Sequence, residues 1–185
     1  MSLIEVVDSY GNPTGQLATR EECLQKGLLK RSASVVFICK NRWILVQKRA
    51  QQKSLCPWMW DLLTAAGHTD IGELPKDTAM RETKEELWVE LFPEDIFFQA
   101  MIADNMNFPD GRIQNELGYV YFTDWTNKDD KYFTLQYNEV ECLEWFSFDL
   151  LEKKISQLEW PTDFVPHKRM FPGILGFARN FIINN

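Results

Sequence analysis

The chain has 185 residues, 45% of them hydrophobic and 25% charged, with a formal net charge of −7 at pH 7. That length suffices for one domain with a sizeable core, and the balance is that of an ordinary soluble protein. An acidic chain, of sequence pI about 4.9, argues against nucleic acid or an anionic membrane as partner, but a bound divalent metal can reverse the sign of a local site for a small anionic substrate.

From the N-terminus, residues 3–8 (LIEVVD) read as a strand, and Gly11-Asn12-Pro13 as a turn. Thr19 is placed to cap a short helix from Arg20 to about Lys26, stopped by Gly27. Two apolar, β-rich runs, 33–39 and 43–48, flank Lys40-Asn41-Arg42 and predict a hairpin. A loop with Pro57, Trp58, Met59 and Trp60 leads into a short run at 61–65. Residues 75–87 predict a helix. Pro75 suits the first helical position, Asp77 faces the positive end of the dipole, and Ala79, Met80, Thr83 and Leu87 make one apolar stripe. Strands are expected at 96–103, 116–124 and 140–146, and helices at 148–157 and 172–183. Strands and helices alternate with hairpin-like pairs, so a mixed sheet with helices on both faces is expected.

The start MSLIEVVDSYG lacks the basic and apolar regions of a signal peptide, and no run approaches 18 apolar residues. Cys23, Cys39, Cys56 and Cys142 form no Cys-x-x-Cys pair, and there are only two histidines, His68 and His167. A zinc cage is therefore not expected, and reduced thiols in the cytoplasm are the simplest reading. Most of the thirteen phenylalanines and seven tryptophans are expected in the core. Trp58, Trp60, Phe108 and Tyr119 could instead stack on a nucleobase.

The segment GHTDIGELPKDTAMRETKEEL, 67–87, carries the chemistry. Glu82, Glu85 and Glu86 stand at i, i+3 and i+4, so they share one helical face, separate from the apolar stripe. Such a triplet is usually a solvated surface. Mutual repulsion gives the grouping no advantage to the helix, whereas Mg²⁺ or Mn²⁺ among the carboxylates makes it favourable. Arg81 lies four residues before Glu85 and can orient a carboxylate, Glu73 is placed to pair with Arg81, and Gly67 opens a tight loop whose carbonyl could meet the metal.

The full spacing, Gly67, Glu73, Arg81-Glu82 and Glu85-Glu86, resembles the Nudix box, spanning 67–89. Six specified positions at roughly one in fifteen each give a chance match on the order of 10⁻⁷ per window. The resemblance implies a single Nudix hydrolase domain over 1–185, an α+β fold built as an α/β/α sandwich around a mixed sheet. It implies Mg²⁺ or Mn²⁺ as cofactor, and cleavage of a nucleoside diphosphate linked to another moiety, or a related diphosphate, by water attack on phosphorus. It makes Glu82, Glu85 and Glu86 the metal ligands, with Gly67 and Glu116 as further candidates, and leaves Glu85, Glu116 and Glu139 open as the general base. The partner it implies is a small-molecule diphosphate, with no nucleic acid and no membrane. Dimers are common among such proteins, so a homodimer is an expectation of the resemblance alone. Two positions depart from the pattern. Thr83 replaces an aliphatic residue and can bond back to a helix carbonyl. Trp88 replaces the glycine that in the family pattern ends the helix at positive φ; because a tryptophan is strained there, a reshaped or extended helix end is expected.

The N-terminal run, the hairpin, Arg49 and Lys53 in R-x-x-x-K, and NELGYVYF are also similar to isopentenyl-diphosphate isomerase, a Nudix-fold enzyme. That likeness makes Arg49 and Lys53 candidates for gripping a diphosphate. The isomerase chemistry needs a cysteine where this chain has Ala66, two histidines where Cys23 and Lys30 stand, and a carboxylate where Gln114 stands. An alanine moves no proton at an allylic carbon. An isomerase-like enzyme and a non-catalytic diphosphate-binding module remain the alternatives to a hydrolase.

Overall fold

The computed structural model describes residues 3–156 and 163–184. Nine strands form the sheet system: β1 (Leu3–Val7), β2 (Pro13–Thr19), β3 (Leu29–Cys39), β4 (Trp43–Arg49), β5 (Trp60–Asp61), β6 (Ala65–His68), β7 (Phe97–Asn107), β8 (Ile113–Asp124) and β9 (Val140–Phe146). Four helices accompany them: α1 (Arg20–Lys26), α2 (Pro75–Leu87), α3 (Phe148–Ile155) and α4 (Met170–Asn184). The helix expected to reach residue 157 ends at Ile155, and residue 157 itself lies outside the described residues.

Strand β3 is the axis. It pairs parallel with β8 from Leu29↔Asn115 to Ile38↔Asp124, and antiparallel with β6 from Ser32↔His68 to Val35↔Ala65. Its pairing with β4 is confined to Ile38 and Cys39. The expected hairpin therefore exists only at its turn, because β6 takes over the remaining edge of β3. Strand β7 runs antiparallel along β8, and β9 along β4. The mixed sheet is thus as expected.

One core lies between the sheet and α3 and α4, with Phe122, Leu151, Phe164, Phe171 and Ile174 among its members. The other lies under α2, where Ala79 and Leu87 meet Val35, Phe37 and Leu45. Each fully buried side chain of this size contributes about 1.5–3 kcal/mol. The α/β/α sandwich follows from two apolar faces on one sheet. No helix among the described residues is long and apolar enough to cross a membrane.

Helix α1 starts in a complete capping box, with Thr19 Oγ1 accepting from the Glu22 N–H and Glu22 accepting from the Thr19 N–H, and it stops at Gly27 at φ 62°. Helix α2 begins with Pro75 as expected. Its exit corrects the expectation for Trp88. The helix is neither reshaped nor extended: it ends at Leu87, and Trp88 itself takes the left-handed cap at φ 57°, with its N–H bonded to the Lys84 carbonyl. The indole is 70% exposed, so the conformation costs local strain without disturbing the core. The Thr83 hydroxyl donates to the Ala79 carbonyl at 2.8 Å, which lets a polar residue sit fully buried in the stripe.

Candidate active site

A cleft of about 310 Å³ opens between α2 and the ends of β3, β6 and β8. Gly67, on β6, faces α2. A Cβ built there would lie 1.9 Å from Glu82 Oε1, so the carboxylate occupies the space that a side chain at this position would take. Gly67 φ is not in the left-handed region; the requirement is close approach, not a turn.

Arg81 is the hub of the acidic side. Its Nε and Nη2 donate to the two oxygens of Glu73 at 2.9 and 3.0 Å, a bidentate pair, and Nη2 also reaches the His68 carbonyl at 3.2 Å. Nη1 donates to Glu82 at 2.7 Å and Glu85 at 3.4 Å. Burial alone would raise the Glu73 pKa. Its hydrogen bonds from Arg81, Thr78 and the Asp70 backbone outweigh that and pull it down to about 2.

The ligand candidates differ in environment. Glu85 is exposed, Glu82 half-buried and Glu86 buried. Burial pushes Glu86 up to about 8, only partly opposed by the charge of Lys53, and it raises Glu82 as well. Glu86 accepts one bond, from the Ala66 N–H at 3.3 Å, and has no ion pair among the described residues. A buried carboxylate beside a second one, with no cation in contact, is an incomplete charge arrangement. Oxygen-only donors of this kind fit a hard divalent ion such as Mg²⁺ or Mn²⁺. Among the described residues, however, no three His, Cys, Asp or Glu groups converge as a metal cage. The Arg81 guanidinium is what joins Glu82 to Glu85.

Arg49 and Lys53 line the opposite wall. Arg49 pairs with buried Asp61 at 3.1 Å and donates to the Leu55 carbonyl; Lys53 pairs with Glu139. Glu139 is therefore held by a cation. Glu116 lines the cleft too, but its Oε1 lies 2.9 Å from the Nζ of the fully buried Lys30, and its Oε2 accepts from Ser32 Oγ at 3.2 Å. Although burial opposes ionisation, Lys30 and neighbouring charges hold Glu116 well below the usual carboxylate range. His68 Nδ1 sits 3.5 Å from Glu116 Oε1, and burial holds the imidazole neutral, its pKa down at about 3.

The aromatic candidates for base stacking do not reach this cleft. Trp60 packs on Phe146, Phe108 is buried in the core, Tyr119 packs on Phe98, and Trp58 lies under Lys48. No phenylalanine, tyrosine or tryptophan lines the cleft among the described residues. Sequence reasoning missed Arg20, Ser34, Asp61 and His167, which do line it. Arg20, Ser34 and His167 sit far along the chain from residues 67–87, and Asp61, though near, lies outside the motif. Only His167, as one of two histidines, carried a signal that could have drawn attention.

The chain matches the NUDIX domain family over residues 28–167, well over half its length. It is 29% identical over 153 residues to "Nudix hydrolase 3" of Arabidopsis thaliana, covering 78% of this chain and 19% of that protein. It is 31% identical over 124 residues to "Isopentenyl-diphosphate Delta-isomerase" of Pectobacterium atrosepticum, covering 66% of each. The match thus spans less than a fifth of the plant protein, 19%. The fold is shared with DR0079 from Deinococcus radiodurans, at TM-score 0.67 and 16% identity, over 97% of this chain and 98% of that one.

Proposed function

The chain belongs to the Nudix domain family, and from that premise we propose that it is a divalent-metal-dependent pyrophosphohydrolase acting on a small-molecule diphosphate. The observation that carries the reading is Glu86, a carboxylate kept in a buried place beside Glu82 with no counter-cation in contact. A chain under no functional demand relieves such a group with a neutral residue.

Glu82, Glu85 and Glu86 are the residues to hold Mg²⁺ or Mn²⁺, with the Gly67 carbonyl as a further candidate ligand. The ion, when bound, supplies charge neutralisation at phosphorus and a more acidic water. Arg49 and Lys53 bind the diphosphate oxygens, since each presents a cation to the cleft from a fixed partner. Glu73 holds Arg81, and Arg81 orients Glu82 and Glu85. Glu85 is the exposed member of the set and takes the proton of the attacking water. Glu116 and Glu139 are less suited to that role, because each is less exposed than Glu85 and is held by a lysine in a closer contact than the 3.4 Å between Glu85 and Arg81.

The Pectobacterium relative's name raises the isomerase alternative. Ala66 stands beside Gly67 with a methyl group only, so the chain offers no thiol there for allylic proton transfer. A hydrolysis screen over nucleoside diphosphate derivatives, dinucleoside polyphosphates and prenyl diphosphates, with Mg²⁺ and Mn²⁺, tests the proposal. Release of a phosphate-bearing product is expected. Exchange of isopentenyl and dimethylallyl isomers would replace the reading with the isomerase one, and tight binding without turnover would replace it with a binding module.

A further inference from the structure

The acidic helix and the cationic wall account for a metal and a diphosphate, and the remaining floor of the cleft is unassigned. It is made by Ser32 and Ser34 on β3, Gln114 on β8, and His167 on the segment before α4, with Leu63 and Met170 as its apolar members. His167 is 3% exposed and Asp104, on β7, is 4% exposed. Asp104 Oδ2 lies 2.6 Å from His167 Nδ1. That bond fixes the ring and leaves Nε2 as the nitrogen free to serve a ligand. Burial works against a charged ring here, but the Asp104 hydrogen bond and the charges of Asp61, Asp104 and Glu116 outweigh it and raise the His167 pKa. Ser34 Oγ is buried, lines the same cleft, and has no hydrogen-bond partner among the described residues.

Accepting the diphosphate reading above, we propose that His167, fixed by Asp104, is a specificity-determining residue that selects a diphosphate carrying a hydroxylated moiety over one carrying a hydrocarbon tail. The floor mixes groups that donate with groups that accept. A sugar or polyol carries several hydroxyls, each able to do both, and so can serve Ser34 Oγ and His167 Nε2. A prenyl tail would strip water from these groups and return no hydrogen bond, which is how polar sites reject analogues lacking a hydroxyl. A stacking base is disfavoured because no phenylalanine, tyrosine or tryptophan lines the cleft among the described residues, whose only rings there are the imidazoles of His68 and His167.

The test uses two five-carbon primary diphosphate esters that differ mainly in hydroxyl content, ribose 5-diphosphate and isopentenyl diphosphate. Binding to the full chain is measured by calorimetry with Ca²⁺ in place of Mg²⁺, to hold turnover down. Wild type is expected to bind the ribose ester at least about tenfold more tightly. His167→Phe keeps ring volume and should lose about tenfold for the ribose ester while changing the isopentenyl ester by less than about twofold. His167→Gln keeps a terminal N–H and should recover part of the loss, and Asp104→Asn should behave as a weaker His167→Phe. In ¹⁵N-labelled wild type, the His167 ring resonances should shift with the ribose ester, with His68, the chain's other histidine, as comparison. Equal affinity of wild type for both esters, equal losses for both in the variants, or a His167 ring that does not respond overturns the proposal. The wild-type arms hold even if a variant fails to fold. A chain that binds the ribose ester through His167 but hydrolyses nothing keeps this inference and loses the hydrolase reading; one that hydrolyses both esters without preference does the reverse.

Discussion

Glu86 and Glu73 are two carboxylates of one site with opposite electrostatics. Glu73 is stabilised as an anion by Arg81, whereas burial raises Glu86 to about 8. For Glu86 the folded pKa lies above the unfolded value, so the unfolded chain releases its proton first. Each step in pH between about 4.5 and 8 therefore favours unfolding, and above about 8 the penalty is constant. Glu86→Gln removes that penalty and preserves shape. In EDTA its melting temperature should exceed that of wild type by about 3 °C or more at pH 8 and converge with it near pH 4.5. Hydrolysis with Mg²⁺ should fall at least about 10²-fold in the same variant. Calorimetry and an activity assay check both halves; a destabilised variant with near-normal turnover would make Glu86 structural. The three glutamates, Arg81, Glu73 and Gly67 were legible in the sequence because their meeting depends on spacing within 21 residues. Lys30, Asp104 and His167 were not, since their neighbours are set by the β3–β8 and β7–β8 registers and by a contact 63 residues apart.

At the scale of elements, α2 carries the site on a scaffold with one local fault. A non-glycine residue in the left-handed cap costs about 1–2 kcal/mol, and the exposed Trp88 indole returns little packing. Trp88→Gly should stabilise the chain by about 0.5–1 kcal/mol, after allowance for the extra freedom of glycine when unfolded. Chemical denaturation measures it, with activity unchanged if the cap is remote from the chemistry. A loss of stability would mean that the indole packs in solution. The Thr19 cap and Gly27 made α1 readable, and Pro75 with the apolar stripe made α2 readable as far as its exit. Strand β2 was hidden behind the Gly11-Asn12-Pro13 turn signal, because its residues are mostly exposed and lack apolar alternation. The true length of β7, which runs past the expected 103 to Asn107, was hidden because its last four residues, Asp-Asn-Met-Asn, are mostly polar although they alternate between buried and exposed.

Across the whole molecule, one row of charges ties the sheet together behind the cleft. Asp104 on β7 opposes Glu116 on β8, and Glu116 opposes Lys30 on β3. Lys30 is 1% exposed with Glu116 at 2.9 Å. Removing one partner of such a pair strands a buried charge. Lys30→Met should cost about 3–5 kcal/mol, and Lys30→Met with Glu116→Leu should regain most of it. Denaturation of the two variants decides it, and equal destabilisation in both would show that packing, not charge, governs the row. The sheet order that creates this row follows from long-range pairing, which periodicity does not reveal; the sandwich itself was legible from the alternation of strands and helices.

The central claim is that the carboxylate face of α2 takes up a divalent ion. Mn²⁺ titration followed by electron paramagnetic resonance, on wild type and on Glu82→Gln/Glu85→Gln/Glu86→Gln, addresses it directly. Wild type should bind saturably, and the triple variant should lose at least about a hundredfold in affinity, since carboxylate oxygens are the preferred ligands of such ions. Equal Mn²⁺ binding by the two proteins, with the triple variant folded, would contradict it.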